Sequence, residues 1–159
     1  GLLIAGCGPD AVPLARLAAE LGWTVSVISA RDAAFVQARF SGLPVVHAGA
    51  VAAAATVPVH SRTAAVVMSH NFVDDAAALE ALLPRRLPYL GVLGPRERTR
   101  RLFAACGAAE DAASRIHSPV GFNIGAETAP EIALSIASEI QAVLAGASVR
   151  TGTVPGLRS

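Results

Sequence analysis

The sequence predicts an α/β fold, a doubly wound and mainly parallel sheet with helices on both faces. Three observations carry that expectation. Short apolar strand segments alternate with helical ones along nearly the whole chain, the pattern that a parallel sheet with crossover helices leaves in a sequence. The first strand, Leu2-Leu3-Ile4-Ala5, runs directly into Gly6-Cys7-Gly8-Pro9-Asp10-Ala11, a G-x-G-x-x-A turn that opens a helix. The chain has 159 residues, 53% of them hydrophobic, which suits one domain able to bury roughly 70% of its unfolded surface.

The glycine turn makes the expected sheet Rossmann-like. Its first glycine permits the tight turn, its second lets a phosphate approach the backbone, and the small sixth residue lets helix and strand pack closely. The N–H groups left free at the helix start face the anion. Gly6, Cys7, Gly8, Pro9 and Asp10 are therefore expected to form a nucleotide-type phosphate site. The alternative is a glycine turn belonging to a Rossmann-like domain that binds nothing there.

Taken in order, strands are predicted at residues 2–5, 24–28, 45–48, 64–68 and 89–93, with a weaker one at 114–117. Pro13 is harmless only within a first helical turn, so the first helix begins near Asp10, a candidate N-cap. Residues 50–56 are alanine-rich and fit either helix or loop. The last helix is announced by Thr128-Ala129-Pro130-Glu131, which has capping-box spacing, and its apolar stripe is Ile132, Ile136, Ile140 and Val143/Leu144. The domain is expected to span residues 1–146. Residues 147–159, which lack periodicity, are expected to be a tail.

Composition excludes several functions. All thirteen Lys+Arg residues are arginine, which removes a P-loop lysine, a Schiff-base lysine and a Tyr-x-x-x-Lys pair. Cys7 and Cys106 match neither C-x-x-C nor a zinc spacing, which suits a reducing, cytoplasmic setting without a structural metal. A net charge of +1 implies no nucleic-acid partner. No run approaches the eighteen or so apolar residues of a membrane span, and no segment reads as a signal peptide.

In a sheet of order 3-2-1-4-5, ligands sit beyond the carboxyl ends of the strands, between the first and fourth. After the fourth strand come Ser69-His70-Asn71-Phe72-Val73-Asp74-Asp75, placing His70 and Asn71 across from the glycine turn. His70 could bind a phosphate, act as an acid or base, or be a structural histidine held by a loop carbonyl. Asp74 and Asp75, in the first turn of the next helix, are expected to cap it. After the fifth strand come Gly94-Pro95-Arg96-Glu97-Arg98. Pro95 suits the first helical position, and Arg96 and Arg98 then occupy the end of a helix that disfavours cations, a conflict that a bound anion would relieve. Arg96 is the expected anion ligand, while Arg100 and Arg101 are surface. The loop from His117 to Thr128 is too glycine-rich and apolar to be only a connector and is expected to close over something, with His117 and Asn123 toward a ligand and Gly121 and Gly125 serving turn geometry. Cys7 is expected as a small filler in the turn, with ligand contact the alternative.

Together the strand-linked Gly6-Cys7-Gly8, Ser69-His70-Asn71 with Asp74, Tyr89-Leu90-Gly91-Val92-Leu93-Gly94-Pro95-Arg96 and His117-Ser118-Pro119-Val120-Gly121-Phe122-Asn123-Ile124-Gly125-Ala126-Glu127-Thr128 resemble the Rossmann-type domain of the XdhC/CoxI family, over nearly the whole chain. Members are maturation factors for molybdenum hydroxylases such as xanthine dehydrogenase and carbon monoxide dehydrogenase. The resemblance implies binding of the molybdenum cofactor (molybdopterin), its protection during sulfuration, and its delivery to the apoenzyme. The implied partners are that apoenzyme and a sulfurtransferase, and exposed alanine-rich surfaces leave room for a homodimer. The sequence departs from the family at Pro9, commonly histidine, at Pro95, commonly serine, and at Ser29 and Asn123, both often aspartate. Members commonly carry a preceding domain, whereas this chain begins inside its first strand, as a fragment or a single-domain form would.

A rival expectation is an NADP(H)-binding oxidoreductase or a dinucleotide-sensing module. A hydroxyl at Ser29 with Arg31 nearby would suit the 2′-phosphate of NADP better than the ribose of NAD, and His70 would be the proton donor. With no substrate domain after the fold, a cofactor-binding chaperone is expected over a catalyst.

Overall fold

The computed structural model describes residues 1–107 and 115–147. Six strands form one sheet: β1 (Leu2–Ala5), β2 (Val25–Ile28), β3 (Val45–Gly49), β4 (Ala64–Val67), β5 (Tyr89–Val92) and β6 (Ile116–His117). Their order is β3-β2-β1-β4-β5-β6 and every pairing is parallel. This is the doubly wound Rossmann-like sheet that the sequence predicts, with the order reversing between β1 and β4.

Alternation along β1 sorts the core into two layers. Leu2 and Ile4 face α1 (Ala11–Glu20), α2 (Ala33–Arg39) and α5 (Ala129–Ala145), joining Leu14, Val36, Phe40, Ile136 and Ile140 in one buried cluster. Leu3 and Ala5 face the other way, toward α3 (Phe72–Leu82) and α4 (Arg96–Cys106), and pack with Ala78, Leu79, Leu82 and Leu102. Side chains two apart on a strand share a face, so four apolar residues in a row supply both layers. All of β1, β4 and β5 is buried, as a central parallel sheet requires.

The ambiguous alanine-rich stretch is a short 3₁₀ helix, Val51–Ala55. It stands where a full crossover helix would otherwise cover β2 and β3. At α5 the predicted cap is present: the Glu131 carboxylate accepts the backbone N–H groups of Thr128 and Glu127, both at 2.9 Å. Those two bonds hold its pKa below the ordinary glutamate range. Helix α5 ends at Gly146 in the left-handed conformation. The tail expected from residue 147 lies, from residue 148 on, outside the described residues, as does Ser114 of the weak sixth strand.

Candidate functional site

Register sets the site. Ala5 is level with Ile28 on one side and with Val67 on the other, so β1, β2 and β4 end together. Of the residues that follow, Gly6, Cys7, Gly8, Ser29, Ala30, Arg31, Ser69, Asn71 and Asp74 consequently meet in one crevice at the point where strand order reverses. They line a cavity of about 270 Å³, together with Phe35 of α2, Val51 and Ala78. A larger hollow of about 530 Å³ lies toward the opposite end of the sheet, but neither an arginine nor a carboxylate side chain lines it.

The glycine turn closes the cavity floor. Gly6 has φ +132°, and a Cβ there would fall 2.6 Å from Ser69 Cα, so no side chain fits. Against Gly8 lies the His70 ring, 3.2 Å from where a Cβ would stand. Among the described residues nothing hydrogen-bonds the amides of Cys7, Gly8 and Asp10, while Ala11 N–H is tied to Gly8 O. Those three free donors, at the mouth of a ten-residue helix, are the groups an anion would meet. Pro9 supplies none.

Asp10 occupies the N-cap position but is already helical and makes no cap bond. Its carboxylate instead lies 2.8 Å from His70 Nε2. The expectation of Asp10 as a cap is thus corrected, because the histidine holds the carboxylate away from the helix amides. Nor, among the described residues, does a loop carbonyl hold His70. It takes a left-handed backbone, φ +63°, with its side chain 53% exposed. A non-glycine residue held there stores backbone strain of about 1 kcal/mol, a cost that functional sites tolerate.

At the end of β2, Ser29 is buried and its hydroxyl is already engaged: Arg31 N–H donates to it at 3.1 Å, and Cys7 Sγ lies 3.0 Å away. Cys7 is half-buried, reaching both the core and the cavity. The Arg31 guanidinium lies over the Phe35 ring at 4.1 Å. Asp32 accepts Phe35 N–H at 2.8 Å and caps α2.

At the end of β4 the division of labour differs from expectation. Asn71, not an aspartate, caps α3, accepting the N–H groups of Val73 at 2.9 Å and Asp74 at 3.2 Å. Asp75 turns inward, 1% exposed, and accepts Ser69 N–H at 2.9 Å and Ser69 O–H at 2.5 Å. Arg98 Nη1 reaches its other oxygen at 2.7 Å, as an ion pair without hydrogen-bond alignment. The anion that relieves Arg98 at the helix start is therefore the protein's own. Asp74, one residue earlier on the helix, faces the cavity instead.

Gly94, Pro95 and Arg96 follow β5, one strand beyond the cavity, and do not line it. Pro95 precedes the helix at the N-cap position instead of opening it, and Arg96 is exposed. Asn123 is exposed and also outside the cavity lining. Its loop closes on α5: Glu139 accepts Tyr89 O–H at 2.6 Å and Gly121 N–H at 2.7 Å, with His117 Nδ1 at 2.9 Å. Ser135 adds a bond to Phe122 O, and the Tyr89 and His117 rings stack at 4.3 Å. Burial and the Glu139 carboxylate push the Tyr89 phenol well above its ordinary pKa. Gly121 and Gly125 both have positive φ, the turn role expected of them. The structure thus brings Gly6, Cys7, Gly8, Ser29, Arg31 and Asn71 together, sets Pro9, Asp10 and His70 at the mouth, and leaves Gly94, Pro95, Arg96 and Asn123 apart. Sequence reasoning missed Phe35 and Glu139, each of which reads locally as an ordinary helical residue.

The model of the XdhC Rossmann domain matches residues 2–140. Among curated proteins, the chain is 36% identical over 140 residues to a probable xanthine dehydrogenase subunit of Bacillus subtilis, covering 87% of this chain and 41% of that one. It is 31% identical to the uncharacterized protein YqeB of Escherichia coli, covering 87% of this chain and 26% of that one. Among solved structures, a xanthine dehydrogenase from Bacillus halodurans superposes with a TM-score of 0.76 at 28% identity, over 97% of this chain and 44% of that one. The chain spans less than half the length of these relatives.

Proposed function

The chain belongs to the XdhC Rossmann-domain family, and from that premise we propose that it binds the molybdenum cofactor by its phosphate and serves the maturation of a molybdenum hydroxylase of the xanthine dehydrogenase type. The observation that carries this reading is the cavity at the strand-order reversal, floored by the unbonded amides of Cys7 and Gly8 with that of Asp10 at its mouth, and walled by Arg31. The donor set fits a phosphate ester: the amides of Cys7, Gly8 and Asp10 would hold the oxygens, and His70 draws the Asp10 carboxylate aside so that it does not compete. When bound, the cofactor would supply the pterin dithiolene and its molybdenum, the redox centre of the recipient enzyme. This chain's residues bind, orient and shield; the apoenzyme and a sulfurtransferase are the proposed partners.

The dinucleotide reading keeps one observation in its favour, Arg31 at the end of β2. Against it, the Ser29 hydroxyl that would share a 2′-phosphate is already engaged, and Asp32, the nearest acid, caps α2.

The test is anaerobic titration of the chain with molybdenum cofactor released from a molybdoenzyme, with NADPH and NADH in parallel. Tight cofactor binding and weak nicotinamide binding is the expected result. The reverse would overturn the proposal and make the domain a dinucleotide module.

A further inference from the structure

The cavity is chemically two-ended. On the β2 side stands Arg31, on the β1 floor the amides of the glycine turn, and on the β4 side the carboxylate of Asp74. Because β2 and β4 flank β1, the cationic and anionic walls are two strand spacings apart, on the order of 10 Å. A bare phosphate gains from the first wall and is repelled by the second. Beyond its place in the first turn of α3, where the helix dipole favours an acid, the aspartate has no partner among the described residues. Asn71 caps α3, Asp75 takes Ser69 and Arg98, and the Asp74 carboxylate has no hydrogen bond or ion pair among the described residues.

We propose that Asp74 is a specificity-determining residue of this cavity, accepting the paired N–H groups of a 2-amino-4-oxopyrimidine edge, the edge common to pterins and guanine, from a ligand whose phosphate lies at the glycine turn. The chemistry is that of a planar, forked donor pair meeting two carboxylate oxygens, a charge-assisted bidentate contact. Adenine presents no such pair, and hypoxanthine only one of the two N–H groups. The carboxylate therefore selects against them by leaving its own oxygens unmatched. The proposal rests on the phosphate-binding reading above and names the part of the ligand that reading leaves open.

The experiment titrates the chain with neopterin phosphate, GMP, IMP and AMP, and with inorganic phosphate. All of these carry a single phosphate, and the three nucleotides also share one ribose. GMP and neopterin phosphate should bind at least about tenfold more tightly than AMP, with IMP between. Asp74→Asn should bring the four organic ligands within about twofold of one another, while inorganic phosphate, freed of the repelling carboxylate, should bind as well or better. Asp74→Glu, which keeps the charge at the helix start, should restore part of the preference, so that loss of helix stability is separated from loss of recognition. The tighter of neopterin phosphate and GMP identifies the source of the edge. Equal binding of GMP and AMP by the unaltered chain overturns the role of Asp74, including the case in which a divalent cation at Asp74 raises both alike. Failure of every phosphate ligand to bind, inorganic phosphate included, overturns the underlying site reading instead.

Discussion

Two carboxylate-bearing regions of this domain use their acids in opposite ways. At Glu139 the carboxylate is saturated by a phenol, an imidazole and a backbone N–H, drawn from two strands and the loop that follows them. At the crevice between β1 and β4, Asp74 and three amides of the glycine turn are left open, while Asp75 and Asp10 are consumed internally. A buried polar network that satisfies itself rigidifies a fold, whereas polar groups converging on a cavity without partners are what a ligand can satisfy. The loop from His117 to Thr128, which the sequence predicts to close over a ligand, closes over α5. The unpartnered polar groups stay at the glycine turn and Asp74.

Breaking the saturated side should have the largest effect. Glu139→Ala strips the partner from the fully buried Tyr89 hydroxyl and from Gly121 N–H, and should cost about 3 kcal/mol in chemical denaturation. It should leave phosphate affinity nearly unchanged. A large loss of affinity with little loss of stability would erase the distinction between the regions. His70→Gly sharpens the comparison from the open side. It removes the Asp10 partner but relieves the left-handed backbone, so net stability should shift by no more than about 1 kcal/mol. Phosphate binding should weaken, because the freed Asp10 carboxylate then competes at the helix mouth; tighter binding would remove His70 from the site. The smallest effect belongs to Glu131, the exposed cap at the start of α5. Its folded pKa is depressed, so its contribution is present at neutral pH and is lost as pH falls through the folded value. The difference in melting temperature between the chain and Glu131→Gln should therefore shrink as pH drops below the ordinary glutamate range, and a difference that grew with acidity would contradict the cap.

Much of the sheet was legible because short apolar runs and the Gly6–Gly8 spacing are local signals. Five strands fall within a residue or so of their predicted ends, and the α5 cap reads directly from Thr128 and Glu131. The polar pairings were not legible, because each joins positions far apart in sequence. Nothing near Arg98 announces that Asp75, on another helix, supplies its counter-ion, and nothing near Glu139 points back to Tyr89. Pairings of this kind also decide which candidates reach the cavity. Asn71 was recognisable by type, yet that it caps α3 in place of an aspartate goes with Asp75 turning inward to Ser69 and Arg98, a partner on another helix.

The position of α5 bears on how the chain comes off the ribosome. Ile136, Ala137 and Ile140 cover the face formed by Ile4, Val66 and Tyr89, which are otherwise among the most buried residues. A nascent chain ending before residue 129 exposes that apolar face and leaves Tyr89 without Glu139. The sheet face is therefore covered last, and the fold is completed only when this helix has cleared the exit tunnel, at the end of synthesis of this domain.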